Sequence, residues 1–127
     1  LLLNMYETLK SQYHRNTIYG PIRRLCDDTG YFNAHTKFNT ILTPILMTKK
    51  TIIHDFMQNG FYKYSQWLQK YRGNCEDLAL NMFIREAYRE TGVYVKGDYR
   101  ELDNKNGYSS KSDHYKVRNS FCKKYIV

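Results

Sequence analysis

Hydrophobic positions along the chain recur at two periods, and the changes of period divide it into short elements. Leu2, Met5, Tyr6, Leu9 and Tyr13 fall at helical spacing, which predicts an amphipathic helix over residues 1–14. Residues 17–22 read as a strand ending at Gly20-Pro21, and Arg23-Arg24 as a solvated basic turn. Asp27-Asp28-Thr29-Gly30 is turn chemistry. Residues 38–47 form an apolar strand broken by Pro44, which removes a backbone donor. Thr48 then caps a helix carrying Ile52, Ile53, Phe56 and Met57, closed by Asn59-Gly60. The aromatic stretch 61–71 around Trp67 reads as a surface helix with core aromatics.

The strongest pattern starts at Asn74. Its side-chain oxygen suits an N-cap, and Glu76 and Asp77 fall in the first turn, where the macrodipole favours negative charge. Leu78, Ala79, Met82, Phe83 and Ala87 mark a core face, while Asp77, Asn81, Ile84 and Tyr88 form a half-polar stripe. Gly92 is placed to close the helix. Residues 93–95 are a strand, and 97–107 a polar loop. Ser110 or Ser112 caps a last helix with Tyr115, Arg118, Phe121, Cys122 and Tyr125. On local chemistry alone the two acids are ordinary caps.

Composition narrows the class. The 127 residues are 42% hydrophobic and 16% aromatic, enough for one domain with a core and too much for a disordered tail. No apolar run approaches the roughly 18–20 residues that span a bilayer. Leu1-Leu2-Leu3 is too short for a signal-peptide core, and the absence of an initial Met suggests a fragment or processed product. Twenty Lys and Arg against 12 acids give a net charge of +8, which favours anionic partners. These cations are spread along the chain and form no run, which argues against nucleic acid. His14, His35, His54 and His114 lack metal-ligand spacing. Three cysteines permit one disulfide and leave one thiol.

The run Asn74-Cys75-Glu76-Asp77-Leu78-Ala79-Leu80-Asn81-Met82-Phe83 resembles the signature of the exostosin and exostosin-like glycosyltransferases, glycosyltransferase family 64. Val93-Tyr94-Val95-Lys96 is similar to that family's short following strand, and Gly107-Tyr108-Ser109-Ser110 to its Gly-x-Ser loop. Arg118 with Cys122 resembles its closing Arg-x-x-Cys, with one extra residue in the gap; Arg24, counted from Gly20, matches its Pro-Arg. The resemblance implies an α/β chain: the C-terminal half of a GT-A-type nucleotide-sugar transferase fold, a mixed sheet flanked by helices. Residues 1–127 would be one partial domain, the acceptor and catalytic half. The donor-nucleotide half and the metal-binding acids would lie upstream of Leu1. Asp27-Asp28 is accordingly not the family's metal-binding Asp-x-Asp, which belongs on a strand before the opening helix.

The implied reaction is transfer of an N-acetylhexosamine-type sugar from a UDP-sugar to a saccharide hydroxyl, with retention and with manganese. An acidic polysaccharide is among the acceptors that the basic charge would suit. Asp77 is then the expected catalytic carboxylate, and Arg118 the expected grip on the leaving diphosphate. Glu76, Arg24 and Asn81 are further candidates for substrate binding; Glu76 suits a cap equally well, and Asn81 is the better candidate for a hydrogen bond inside the fold. The resemblance pairs Cys75 with Cys122 and leaves Cys26 as a buried apolar filler. That bridge would set Asp77 against Arg118, and would contribute on the order of 4 kcal/mol in the chain-entropy model. Paired cysteines and family resemblance imply the lumen of the endoplasmic reticulum or Golgi. Such a piece would be inactive alone and an enzyme when complete. Pro44, where relatives often carry Gly near the acceptor, keeps open a second reading: a non-catalytic structural or interaction module.

Overall fold

A computed structural model describes residues 1–34, 36–99 and 113–126. Helix α1 (Leu2–Ser11) buries Met5 against Tyr19 and Val95, making a small second core under the N-terminus. Strand β1 (Ile18–Gly20) is fully buried because it is central. It pairs antiparallel with β5 (Met47–Thr48) and parallel with β6 (Val93–Tyr94), a mixed three-stranded sheet ordered β5-β1-β6. A second, antiparallel sheet is ordered β3-β2-β4, from β2 (Arg23–Asp27), β3 (Gly30–Asn33) and β4 (Thr40–Ile41). In coarse class the molecule is α/β, with its strands divided between two small sheets.

Several local expectations shift. Arg23-Arg24 lie in β2 and not in a turn, with Arg23 stacked 3.8 Å from the Tyr94 ring centroid. The turn at Asp27 is as the residues predict: Asp27 accepts hydrogen bonds from the backbone and hydroxyl of Thr29. Gly30 follows at φ +137°, a conformation that L side chains rarely adopt, and lets the Asn119 side chain press against the hairpin. Thr48 ends β5, its hydroxyl bound to the Thr17 carbonyl, and the next helix α2 (Lys50–Asp55) begins without a side-chain cap.

Asn59-Gly60 does not stop that helix. The chain passes through one π-type turn (Phe56–Gly60) directly into α3 (Phe61–Lys70). A Cβ at Gly60 would sit 2.3 Å from the Phe83 ring, so glycine is what lets this turn lie on α4.

Helix α4 (Glu76–Tyr88) runs through the main core, and residues 77–84 are buried without exception. Both its apolar face and its half-polar stripe are therefore covered, and Asp77 and Asn81 must find partners inside the protein. Ala87, expected in the core, is exposed. The residue before the helix is Cys75, at φ 84°, and Asn74 makes no side-chain capping bond. The end comes at Arg89, with φ 57°, before Gly92 is reached. Helix α5 (His114–Tyr125) packs on the β2–β3 hairpin and crosses α4. The Ser110 and Ser112 caps, the Gly107-Tyr108-Ser109-Ser110 loop and the far part of the 97–107 loop lie outside the described residues.

Candidate functional site

The first turn of α4 and the first turns of α5 meet over the β2–β3 hairpin. Asp77 and Arg118 are each 4% exposed. One guanidinium nitrogen of Arg118, Nη2, reaches both Asp77 carboxylate oxygens, at 2.9 and 2.8 Å. Nη1 donates to Asn74 Oδ1 at 3.3 Å. The guanidinium carbon lies 4.6 Å from the Tyr31 ring centroid, so the cation rests on an aromatic face. Asp77 Oδ1 also accepts the Leu78 backbone N–H at 2.8 Å, a first-turn donor that no helical carbonyl takes.

Electrostatics follow from this crowding. Burial acts to lower the pKa of Arg118, yet the Asp77 carboxylate against it raises the balance above the ordinary arginine value. The guanidinium is charged at every accessible pH. Burial pushes the Tyr31 phenol up, against the pull of Arg118 and Arg24. Glu76 is exposed but crowded; loss of water around its carboxyl, then the Asp77 charge, raise its pKa. Its Oε1 lies 3.4 Å from the Thr43 hydroxyl, a long contact. Thr43 in turn lines an open groove of about 750 Å³ with Pro44 and Leu46.

The remaining candidates divide. Asn81 is occupied inside the fold: Oδ1 accepts from Ile41 N–H at 3.0 Å, and Nδ2 donates to the carbonyls of Ile41 and Asp77, both at 2.8 Å. It pins β4 onto α4 and presents no amide hydrogen to a ligand. Arg24 sends Nη1 to the Arg23 carbonyl at 2.8 Å, and its buried Nε has no partner among the described residues.

The disulfide is not the expected one. Cys26 of β2 is bonded to Cys122 of α5, with Cα atoms 5.3 Å apart, while Cys75 is a buried free thiol. The reason is the packing of α5 on β2–β3, which brings Cys26, and not the residue before α4, within bridging distance. Cys75 is instead enclosed beside Asn74, and burial pushes its thiol up to about 12. Asp77 and Arg118 still meet. The clasp expected to bring them together is different, and the pair is formed by α4 and α5 themselves.

Two members of the cluster were outside the expected set. Asn74 holds Arg118 instead of capping a helix, and Tyr31 supplies the aromatic floor. Nothing local in the sequence marks either role, because both partners of Arg118 are distant in the chain.

Among the described residues no three His, Cys, Asp or Glu side chains are grouped to hold a metal. Both Asp77 oxygens are taken by Arg118, and Asp27 is folded onto Thr29. The described residues therefore do not fit manganese. No described helix is long and apolar enough to cross a membrane. No curated protein matches the chain. The family model described as the glycosyl transferase family 64 domain matches residues 10–126, and the chain belongs to that family.

Proposed function

We propose that this chain is the acceptor-side and catalytic half of a retaining, GT-A-type glycosyltransferase, working within a longer protein. It would move an N-acetylhexosamine-type sugar from a UDP-sugar to a saccharide hydroxyl. The observation that carries this reading is the buried Asp77 carboxylate, held by Arg118 at the start of α4.

Sugar transfer builds positive charge at the anomeric carbon, and a fixed, ionised carboxylate beside it lowers that barrier. A carboxylate with both oxygens bonded to one guanidinium nitrogen is a poor nucleophile, so the geometry favours Asp77 as a charge stabiliser over direct attack. Arg118 then serves first to hold Asp77 in one orientation. The unpartnered Nε atoms of Arg118 and Arg24 are both enclosed, which leaves the outer end of the half-buried Arg24 as the candidate grip on the departing diphosphate. Glu76, whose carboxylate lies near the Thr43 hydroxyl of the groove, would orient an acceptor hydroxyl. The Cys26–Cys122 bond suits an oxidising lumen such as the endoplasmic reticulum or Golgi.

A second reading has its own support. A pair 4% exposed can equally be a strut joining α4 to α5 in a non-catalytic module. The test is UDP release by the whole natural protein from UDP-N-acetylglucosamine and UDP-N-acetylgalactosamine, with manganese and saccharide acceptors in the buffer. The enzyme reading expects turnover that Asp77→Asn removes. A whole protein that folds and releases no UDP, or an Asp77→Asn variant that turns over normally, supports the module instead.

A further inference from the structure

The geometry points to Tyr31 as the residue that positions the carboxylate–guanidinium pair, through the face of its ring. This rests on the proposed role of Asp77 and deepens it. Arg118 could meet Asp77 in many orientations if only the two charges mattered, because a guanidinium offers several N–H edges. Here it meets both oxygens end-on through Nη2 alone, with Nη1 on Asn74. The Tyr31 ring, its centroid 4.6 Å from the guanidinium carbon, closes one side of the guanidinium and limits the orientations open to it.

The hairpin is built to hold that ring in place. Tyr31 lies directly opposite Cys26 across the β2–β3 ladder, and directly paired residues project to the same side of a sheet. Cys26 is bonded to Cys122, which lies one helical turn after Arg118 on the same face of α5. The Tyr31 backbone N–H donates to Asn119 Oδ1 at 2.7 Å, a second tie between the ring's own residue and α5. Ring and guanidinium are thus registered by one disulfide and one hydrogen bond. Tyr31 is buried, and it acts on the carboxylate through Arg118 without touching Asp77 in any hydrogen bond of the described residues.

The experiment uses the whole natural protein with Tyr31→Phe and Tyr31→Leu, and Asp77→Asn as reference. One readout is kcat and KM for UDP release from UDP-N-acetylglucosamine; the other is the set of Arg118 guanidinium N–H resonances by NMR. Tyr31→Phe keeps the ring, so kcat should stay within about twofold and the resonances should remain resolved. Tyr31→Leu keeps apolar bulk but removes the face; kcat should fall about tenfold or more, with KM within about twofold and the resonances averaged by rotation. An unchanged kcat in Tyr31→Leu beside an inactive Asp77→Asn overturns the assignment. So does a Phe variant as impaired as the Leu variant, which would make the hydroxyl the active part. If the wild-type protein releases no UDP, the proposed function fails by itself; the resonances then decide separately, and resolved signals in Tyr31→Leu refute the positioning.

Discussion

The two ends of α4 treat charge in opposite ways. At its start, Asp77 is buried against Arg118, which is held further by Asn74 and by the Tyr31 ring. Towards its end, Arg85 is half-buried with one nitrogen on the Asn39 carbonyl at 2.8 Å, and no carboxylate pairs with it among the described residues. Burial accordingly pushes the Arg85 pKa down, while at the other end the carboxylate wins and Arg118 goes up. The neighbouring acid lies at the surface: Glu86 meets Lys63 at 2.9 Å, with side chains about half exposed. One helix thus carries an over-determined buried ion pair and a solvated one. A buried pair is a poor source of net stability compared with apolar packing, so its many supports make more sense as a device for placing a charge.

The largest expected effect comes from breaking the buried end. In the sequence alone, Asp77→Asn would be expected to cost function with little cost in folding. The structure changes that expectation, because the substitution strands a buried guanidinium. Stability should fall by about 3–5 kcal/mol in urea denaturation, together with loss of turnover. A double variant, Asp77→Leu with Arg118→Leu, should recover most of the stability and none of the activity. Recovery of neither would mean that the pair is mainly structural glue.

Next in size is the clasp beneath it. The Cys26–Cys122 bond spans 96 positions, and closing a loop near that length contributes about 4–5 kcal/mol in the chain-entropy model. Cys26→Ser and Cys122→Ser should each cost several kcal/mol, and Cys75→Ser much less. Peptide mapping under non-reducing conditions should join Cys26 to Cys122 and find Cys75 alkylated only after unfolding. A harmless Cys26→Ser with a costly Cys75→Ser would overturn this pairing.

The exposed end should barely respond. Glu86→Gln removes a solvated pair and should shift stability by no more than about 0.5 kcal/mol. The smallest effect concerns pH. Burial, and then the charge of Arg118, hold His114 below its ordinary value near 6.5, so the fold prefers it neutral. Protonation is easier in the unfolded chain, and stability contributed by neutral His114 should be full above about 6.5 and decline as pH falls below it. His114→Gln should flatten that part of the urea-midpoint profile between pH 7 and 5; an unchanged slope would remove His114 from the account.

Much of the candidate site was legible because its chemistry is local. Asn74, Glu76 and Asp77 stand together at a helix start, and Arg118 and Cys122 lie one turn apart on another helix. Hydrophobic spacing likewise marked α1, α4 and α5, since one buried face is enough to impose a period. Boundaries were less legible where packing overrode local preference. Gly60 reads as a helix stop, yet it is the residue that lets a π-type turn lie on Phe83. Asn74 reads as a cap, but its side chain is claimed by Arg118.

The sequence by itself determined the class of the chain, its family, the helix that carries the two acids and the cation that would answer them. Each of those is a property of neighbouring residues or of a short motif. Only the tertiary structure decided which cysteine closes the bridge, that Tyr31 lies under the guanidinium, and that Asn81 is spent on β4. These depend on how α5 settles on the β2–β3 hairpin and against α4, and no local propensity encodes an angle between elements so far apart in the chain.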